Sequence, residues 1–195
     1  MGSDNLCADN IVRNANEDQK RTYLPSFCNG TAIGALGMTE PGAGSDALGS
    51  MATTARRDGD DYILNGRKLF ITNGPVADVL LIYAKTDLEK KQHGISAFIV
   101  EKSFEGFSVA QKLDKMGWRG SPTGELVFDD CRVPAGNLVG DENRGNVVMM
   151  SGLDVERVIV AFFGIGQAQR AFDLALEYAT QRRQFGRAIG DFQMI

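Results

Sequence analysis

Glu156 is the residue whose surroundings point most directly to chemistry. On a helix it shares one face with Ile159, Val160 and Phe163, which follow it by three, four and seven residues. A carboxylate beside apolar side chains loses hydration, and this raises its affinity for a proton. A general base that works near pH 7 needs that property. An ordinary first-turn acid, favoured by the helix dipole or paired with an arginine, explains the same residues and stays open.

The glycine-rich segment Thr39–Asp46 (TEPGAGSD) offers a second kind of chemistry. Its glycines free the backbone for unusual dihedrals and for close approach of a ligand. Thr39 and Ser45 add hydroxyl groups beside backbone N–H groups, a lining that suits a polar heterocycle or a pantetheine chain. A simple surface turn explains the segment equally well.

Two further sets of residues have both a binding and an ordinary explanation. Phe70 and Thr72 are two apart near the end of a predicted strand, so they point to the same face, where a flat ring could rest. A half-buried strand end is the alternative. The cluster Arg182–Arg187 (RRQFGR) at a helix end could bind phosphate or could complement the helix dipole.

Composition excludes several classes of protein. The chain has 195 residues, a net charge of −4 and no basic run of helix length, which argues against nucleic-acid binding. No apolar stretch approaches ~18 residues, so no membrane span is predicted. Three cysteines without a CxxC pair and one histidine, His93, argue against a disulfide framework, a metal site and a histidine-dependent triad.

The hydrophobic pattern predicts a chain of mixed α and β structure. Residues 4–23 read as one helix closed by Pro25, and helical spacing returns from about Asn143 to near Gln181. Between them, short apolar runs predict an antiparallel β-barrel or sandwich, with Asp58-Gly59 and Asn65-Gly66 as hairpin turns. The predicted strands are 51–57, 62–64, 68–72, 78–85, 94–101, 107–113 and 125–133.

These motifs occur together, and in this order, in the acyl-CoA dehydrogenase family, which the sequence resembles over nearly its whole length. The similar segments are Met38–Asp46 (MTEPGAGSD), Leu64–Gly74 (LNGRKLFITNG), Gly120–Pro134 (GSPTGELVFDDCRVP) and Arg182–Gln193. Within the family, residues 112–121 and 151–157 are most similar to the isovaleryl-CoA type.

The resemblance implies a fold and roles for residues. It implies a truncated acyl-CoA dehydrogenase fold, with the end of a helical domain at 1–29, a central β domain at 30–142 and the start of a second helical domain at 143–195. Glu156 is implied as the base. FAD contacts are implied for Met38, Thr39, Phe70, Ile71 and Thr72, with Arg182 and Gln193 reaching the FAD of a neighbouring subunit. Contacts to acyl-CoA are implied for Ser45, Asp154 and Arg157.

The resemblance also implies a reaction: α,β-dehydrogenation of an acyl-CoA, such as isovaleryl-CoA in leucine catabolism, with electrons passed to electron-transfer flavoprotein. A homotetramer is implied for the full-length protein, in the mitochondrial matrix or a bacterial cytoplasm. Two departures concern the pocket: Phe70 stands where the family often has tryptophan, and Val147 where isovaleryl-type members have an aromatic. An inert β-domain fragment and an acyl-CoA oxidase remain alternatives.

Overall fold

The computed structural model describes residues 2–192 of the chain, without the side chains of residues 2–5. The chain forms two compact units, Met1–Leu153 and Asp154–Ile195. The four α-helices are α1 (Gly2–Asn14), α2 (Glu17–Cys28), α3 (Ala47–Ser50) and α4 (Gly145–Gln181). The ten strands are β1 (Gly34–Gly37), β2 (Thr54–Asp58), β3 (Asp61–Thr72), β4 (Val79–Lys85), β5 (Ile95–Glu101), β6 (Phe107–Lys112), β7 (Thr123–Pro134), β8 (Leu138–Val139), β9 (Arg183–Gln184) and β10 (Arg187–Ala188).

The first eight strands form one sheet, so the predicted combination of helices with a mainly antiparallel sheet is confirmed. The hydrogen-bonded order is β6-β7-β3-β2-β4-β5-β8, and β1 adds to β4. Among the described residues this path does not close into a barrel. Two pairings are parallel: β1 runs alongside β4, with Gly34 opposite Val79, and β2 meets β4 at Thr54 and Lys85.

Strands β4 and β5 are buried on both faces, which explains why their sequences are nearly continuous apolar runs. Alternate residues point to opposite sides of the sheet. One set, which includes Leu80, Ile82 and Phe98, joins the core formed with β3 and β7. The other set, which includes Leu81 and Tyr83, packs with α1, α2 and the first turns of α4. The central strands therefore tie the helices to the rest of the sheet.

The N-terminal helix differs from the prediction, because two helices replace one. The first helix ends at Asn14, and Asn16 caps the second: the Asn16 side chain accepts a hydrogen bond from the Gln19 N–H, and the Gln19 side chain accepts one from the Asn16 N–H. This reciprocal capping box favours a new helix start. Pro25 does not close the segment, since α2 continues through it to Cys28.

The hairpin predicted at Asp58-Gly59 is confirmed, with Gly59 and Asp60 as its two loop residues, but the Asn65-Gly66 hairpin is wrong. Residues 61–72 form the single strand β3. The side chain of Asn65 instead forms two hydrogen bonds with Asp130 on β7. Its Nδ2 donates to the Asp130 carboxylate at 2.9 Å, and its Oδ1 accepts the backbone N–H of Asp130 at 2.9 Å. Asp130 has a left-handed backbone and is the extra residue of a bulge in β7.

Gly66 is required for a close approach, and its substitution should be costly. A Cβ atom there would lie 2.5 Å from Thr53 Oγ1 and 2.7 Å from Thr53 Cα, and φ is +149°. We expect Gly66→Ala to lower the free energy of unfolding by about 2–4 kcal/mol. Gly59→Ala is the control, since its φ is +62° but no atom lies within 4 Å. Urea unfolding of both variants checks this, and equal losses would contradict it.

No helix in the described part of the chain, α4 included, has the length and apolar character needed to cross a membrane.

Candidate functional site

The segment that follows β1 is held against β3, and this brings two predicted site segments together. The Leu69 N–H donates to the Thr39 carbonyl at 2.8 Å. The Lys68 ammonium donates to the Met38 carbonyl at 3.3 Å. Met38 and Thr39, 30 residues before this part of β3, therefore lie beside it, next to Phe70.

Phe70 occupies a bulge in β3. In the pairing of β3 with β7, Lys68 is opposite Leu126 and Ile71 is opposite Gly124, so β3 contains one extra residue between these pairs. Phe70 has φ +60°, which is rare for an aromatic residue, and the residue is 64% exposed. Such local strain in an ordered sheet is typical of functional positions. Sequence alternation alone gave no sign of this bulge.

The residues that flank Phe70 differ in what they offer a ligand. The Ile71 side chain lies in the sheet core, so any role of Ile71 in a site has to come from its backbone. Thr72 is half-buried, as is Thr39, and Ser45 is exposed. Within the described part of the chain, the three hydroxyl groups have no hydrogen-bond partner. They are free to bind a polar ligand.

This arrangement fits a flavin. A planar apolar ring system with polar edges needs an apolar surface and hydrogen-bonding groups around it. The exposed ring of Phe70 offers the surface, and the hydroxyls of Thr39 and Thr72 offer donors and acceptors.

A buried ion pair lies directly behind this site. The Lys68 ammonium is 2.8 Å from the Glu40 carboxylate, and the two side chains are 0% and 3% exposed. The carboxylate also accepts the N–H groups of Ala52 at 2.5 Å and Thr53 at 3.0 Å. No signal in the sequence indicated this pair, because Lys68 follows the charged Arg67 in β3 and a lysine in a strand normally faces solvent.

Burial and pairing act in opposite directions on these two groups. Burial lowers the pKa of Lys68 to about 8, and attraction to Glu40 opposes that change. Burial on its own raises the pKa of Glu40. The Lys68 ammonium and hydrogen bonds from Thr53 and Ala52 outweigh that effect, so the pKa of Glu40 lies below its ordinary value.

Acid should therefore weaken the fold through Glu40. A carboxyl whose pKa is lower in the folded chain contributes stability above its unfolded pKa, and this is lost as the pH falls through the folded value. We expect the free energy of unfolding to decrease as the pH falls below about 4.3. The free energy of unfolding of the Glu40→Gln variant should decrease less steeply with falling pH, which urea unfolding at several pH values would measure. Identical slopes for the two proteins would contradict this prediction.

The remaining predicted site residues belong to the second unit. Asp154 and Arg157 form an exposed ion pair at 2.8 Å, one turn apart on α4. Arg182 is exposed and begins a β-hairpin: its carbonyl accepts the Ile189 N–H at 2.8 Å, and β9 and β10 follow. Gln193 lies outside the described residues.

Glu156 is not a first-turn acid, because α4 begins at Gly145 and places it about three turns into the helix. The helix dipole acts only on the first turn, so that explanation fails. No ion pair involves Glu156 within residues 2–192, and its neighbour Arg157 pairs with Asp154. Glu156 is half-buried, while its neighbours Ile159, Val160 and Phe163 are 43%, 57% and 38% exposed. These three side chains alone do not dehydrate the carboxylate.

Two models of one protein family match most of this chain. Residues 35–131 match the acyl-CoA dehydrogenase middle domain, and residues 143–195 match the acyl-CoA dehydrogenase C-terminal domain. The chain belongs to the acyl-CoA dehydrogenase family, whose members are FAD-dependent flavoproteins. The finer division at residues 30 and 143 remains a prediction.

Individual relatives are similar along nearly the whole chain. The sequence is 53% identical to mitochondrial isovaleryl-CoA dehydrogenase of Pongo abelii, over 98% of this chain and 45% of that protein. It is 52% identical to mitochondrial 2-methylacyl-CoA dehydrogenase of Solanum tuberosum, over 98% of this chain and 46% of that protein. The solved structure of butyryl-CoA dehydrogenase from Megasphaera elsdenii matches with a TM-score of 0.93 and 45% identity, covering 98% of this chain and 50% of that one. The chain thus spans about half the length of these proteins.

Proposed function

We propose that this protein is an FAD-dependent acyl-CoA dehydrogenase, which converts an acyl-CoA thioester to a trans-2-enoyl-CoA. The observation that carries the proposal is the exposed ring of Phe70, held by a strand bulge beside Met38 and Thr39, in a chain of this family.

The residues of the first unit would hold the cofactor. The Phe70 ring packs against the isoalloxazine, and the hydroxyls of Thr39 and Thr72 bind its polar edge. Met38 and Ile71 contribute through backbone groups, and Ser45 binds the acyl-CoA. In the second unit, Arg182 and Gln193 would contribute to binding the FAD of a neighbouring subunit.

Residues of α4 would act on the substrate. Glu156 removes the proton from the α-carbon, while Asp154 and Arg157 lie along the thioester chain. Flavin, when bound, supplies the acceptor for the hydride that leaves the β-carbon. Polarisation of the thioester carbonyl stabilises the negative charge that develops on its oxygen. An acyl chain packed against Ile159, Val160 and Phe163 would complete the dehydration of Glu156 that these residues do not achieve alone.

A short branched substrate such as isovaleryl-CoA, from leucine catabolism, is supported by the identities of 53% and 52% to the isovaleryl-CoA and 2-methylacyl-CoA dehydrogenases. Electron-transfer flavoprotein would reoxidise the enzyme, and the full natural protein would be a homotetramer. These two relatives are mitochondrial enzymes, which favours the mitochondrial matrix as the location of this protein if the source is eukaryotic. The bacterial cytoplasm is the alternative.

Turnover by the full natural protein tests the proposal. The assays contain an artificial electron acceptor and compare four substrates: isovaleryl-, 2-methylbutyryl-, butyryl- and palmitoyl-CoA. We expect the highest kcat/KM for a short branched substrate. Peroxide production at the rate of enoyl-CoA formation, without an added acceptor, would indicate an acyl-CoA oxidase instead. A purified protein that shows no flavin absorbance and takes up no added FAD would favour the inert fragment.

A further inference from the structure

We propose that the buried ion pair between Glu40 and Lys68 is a positioning device, which fixes the backbone of Met38 and Thr39 for the flavin. This inference rests on the proposed function. It assigns a purpose to two buried charges that the proposed reaction does not use.

Glu40 connects the glycine-rich turn to the residues just before β2. Its backbone closes the Pro41-Gly42 turn, because the Glu40 N–H donates to the Ala43 carbonyl at 3.0 Å and the Ala43 N–H donates to the Glu40 carbonyl at 3.1 Å. Its carboxylate accepts the N–H groups of Ala52 and Thr53 just before β2. The glycine-rich turn is therefore anchored to the start of β2 by one side chain.

Lys68 supplies the connection to β3. Its ammonium bridges the Glu40 carboxylate at 2.8 Å and the Met38 carbonyl at 3.3 Å, and the next residue, Leu69, donates its N–H to the Thr39 carbonyl at 2.8 Å. Consecutive residues of β3 thus hold consecutive carbonyl groups of the 38–39 segment. The bulge that carries Phe70 follows immediately. One anchor fixes both the ring surface and the backbone beside it.

Stability alone does not account for such a pair. Removing two charges from water costs nearly as much free energy as their mutual attraction provides. Proteins with apolar replacements of similar volume are therefore often equally stable. Directional hydrogen bonds from an ammonium and a carboxylate do, however, define backbone positions more narrowly than apolar contacts do. A site that must hold a rigid ring system benefits from that restriction.

The double variant Glu40→Gln/Lys68→Met in the full natural protein separates positioning from stability. The amide oxygen at position 40 can still accept one of the two N–H groups of Ala52 and Thr53. Because only one hydrogen bond is lost, we expect the thermal midpoint to stay within about 5 °C of wild type. The Kd for FAD, from flavin fluorescence titration, should rise roughly 10-fold or more. The visible circular dichroism of bound FAD should also change, because it reports the surroundings of the ring.

The matched control is Asp61→Asn/Arg132→Met, which removes an exposed 3.1 Å ion pair between β3 and β7, together with the 3.2 Å contact of Arg132 with Asp58. Its Kd and spectrum should equal those of wild type. An unchanged Kd and spectrum in the Glu40/Lys68 double variant would overturn the positioning role while leaving the proposed function intact. A wild-type protein that takes up no FAD would overturn both. If the double variant does not fold, Glu40→Asp, which keeps the charge but shortens its reach, should raise the Kd, and an unchanged value would overturn the proposal.

Discussion

Glu156→Gln in the full natural protein should retain bound FAD and lose most of its turnover. Replacing the carboxylate with an amide preserves shape but removes the group that accepts the α-proton. A general base contributes roughly 100-fold to 10,000-fold to the rate, so we expect kcat to fall by at least about 100-fold. Steady-state assays with isovaleryl-CoA measure kcat, and the absorbance ratio of flavin to protein measures FAD content.

The control for this variant is Glu177→Gln, an exposed glutamate on the same helix. Its turnover should match wild type, which shows that an amide on α4 is harmless in itself. If Glu156→Gln kept near wild-type turnover, Glu156 would have no part in proton removal. A loss of both FAD and turnover would point to a structural role for the residue instead.

Lys68→Met should be among the most destabilising substitutions in the chain. It leaves the Glu40 carboxylate buried with two backbone donors but without a positive partner. Breaking one half of a buried ion pair typically lowers the free energy of unfolding by about 3–5 kcal/mol. Urea unfolding of the purified chain at pH 7 measures this loss.

The double variant Glu40→Gln/Lys68→Met provides the comparison, because it removes both charges together. We expect it to recover most of the stability lost in Lys68→Met, which gives a large coupling energy in a double-mutant cycle. Losses that simply add in the double variant would mean that the two charges are energetically independent, contrary to their 2.8 Å contact.

The parts of the fold that were predictable from sequence are those with a strong local pattern. The apolar runs of β4 and β5 and the helical repeat of α4 predicted these elements within a few residues of their observed bounds. The hairpin at Asp58-Gly59 was predictable because the conformation of a two-residue hairpin loop depends mainly on the residues of the loop itself. Asn65-Gly66 has the same signature, yet tertiary contacts to Asp130 and Thr53 override it.

Features that depend on distant partners were not predictable. Strand β1 (GALG) lies in a glycine-rich stretch without any strand pattern, and parallel pairing with β4, more than 40 residues later, defines it. A lysine in a strand normally indicates a solvent-facing position. Only its pairing with Glu40, 28 residues earlier, shows that Lys68 is buried. The bulge at Phe70 arises from a register shift against β7, which one strand's sequence does not reveal.

Anaerobic addition of isovaleryl-CoA to the purified, FAD-loaded full natural protein tests the central claim most directly. The proposed dehydrogenation predicts rapid bleaching of the flavin absorbance, with one enoyl-CoA formed for each flavin reduced. A flavin that stays fully oxidised with isovaleryl-CoA, and equally with butyryl- and palmitoyl-CoA, would contradict the claim that this site dehydrogenates acyl-CoA thioesters.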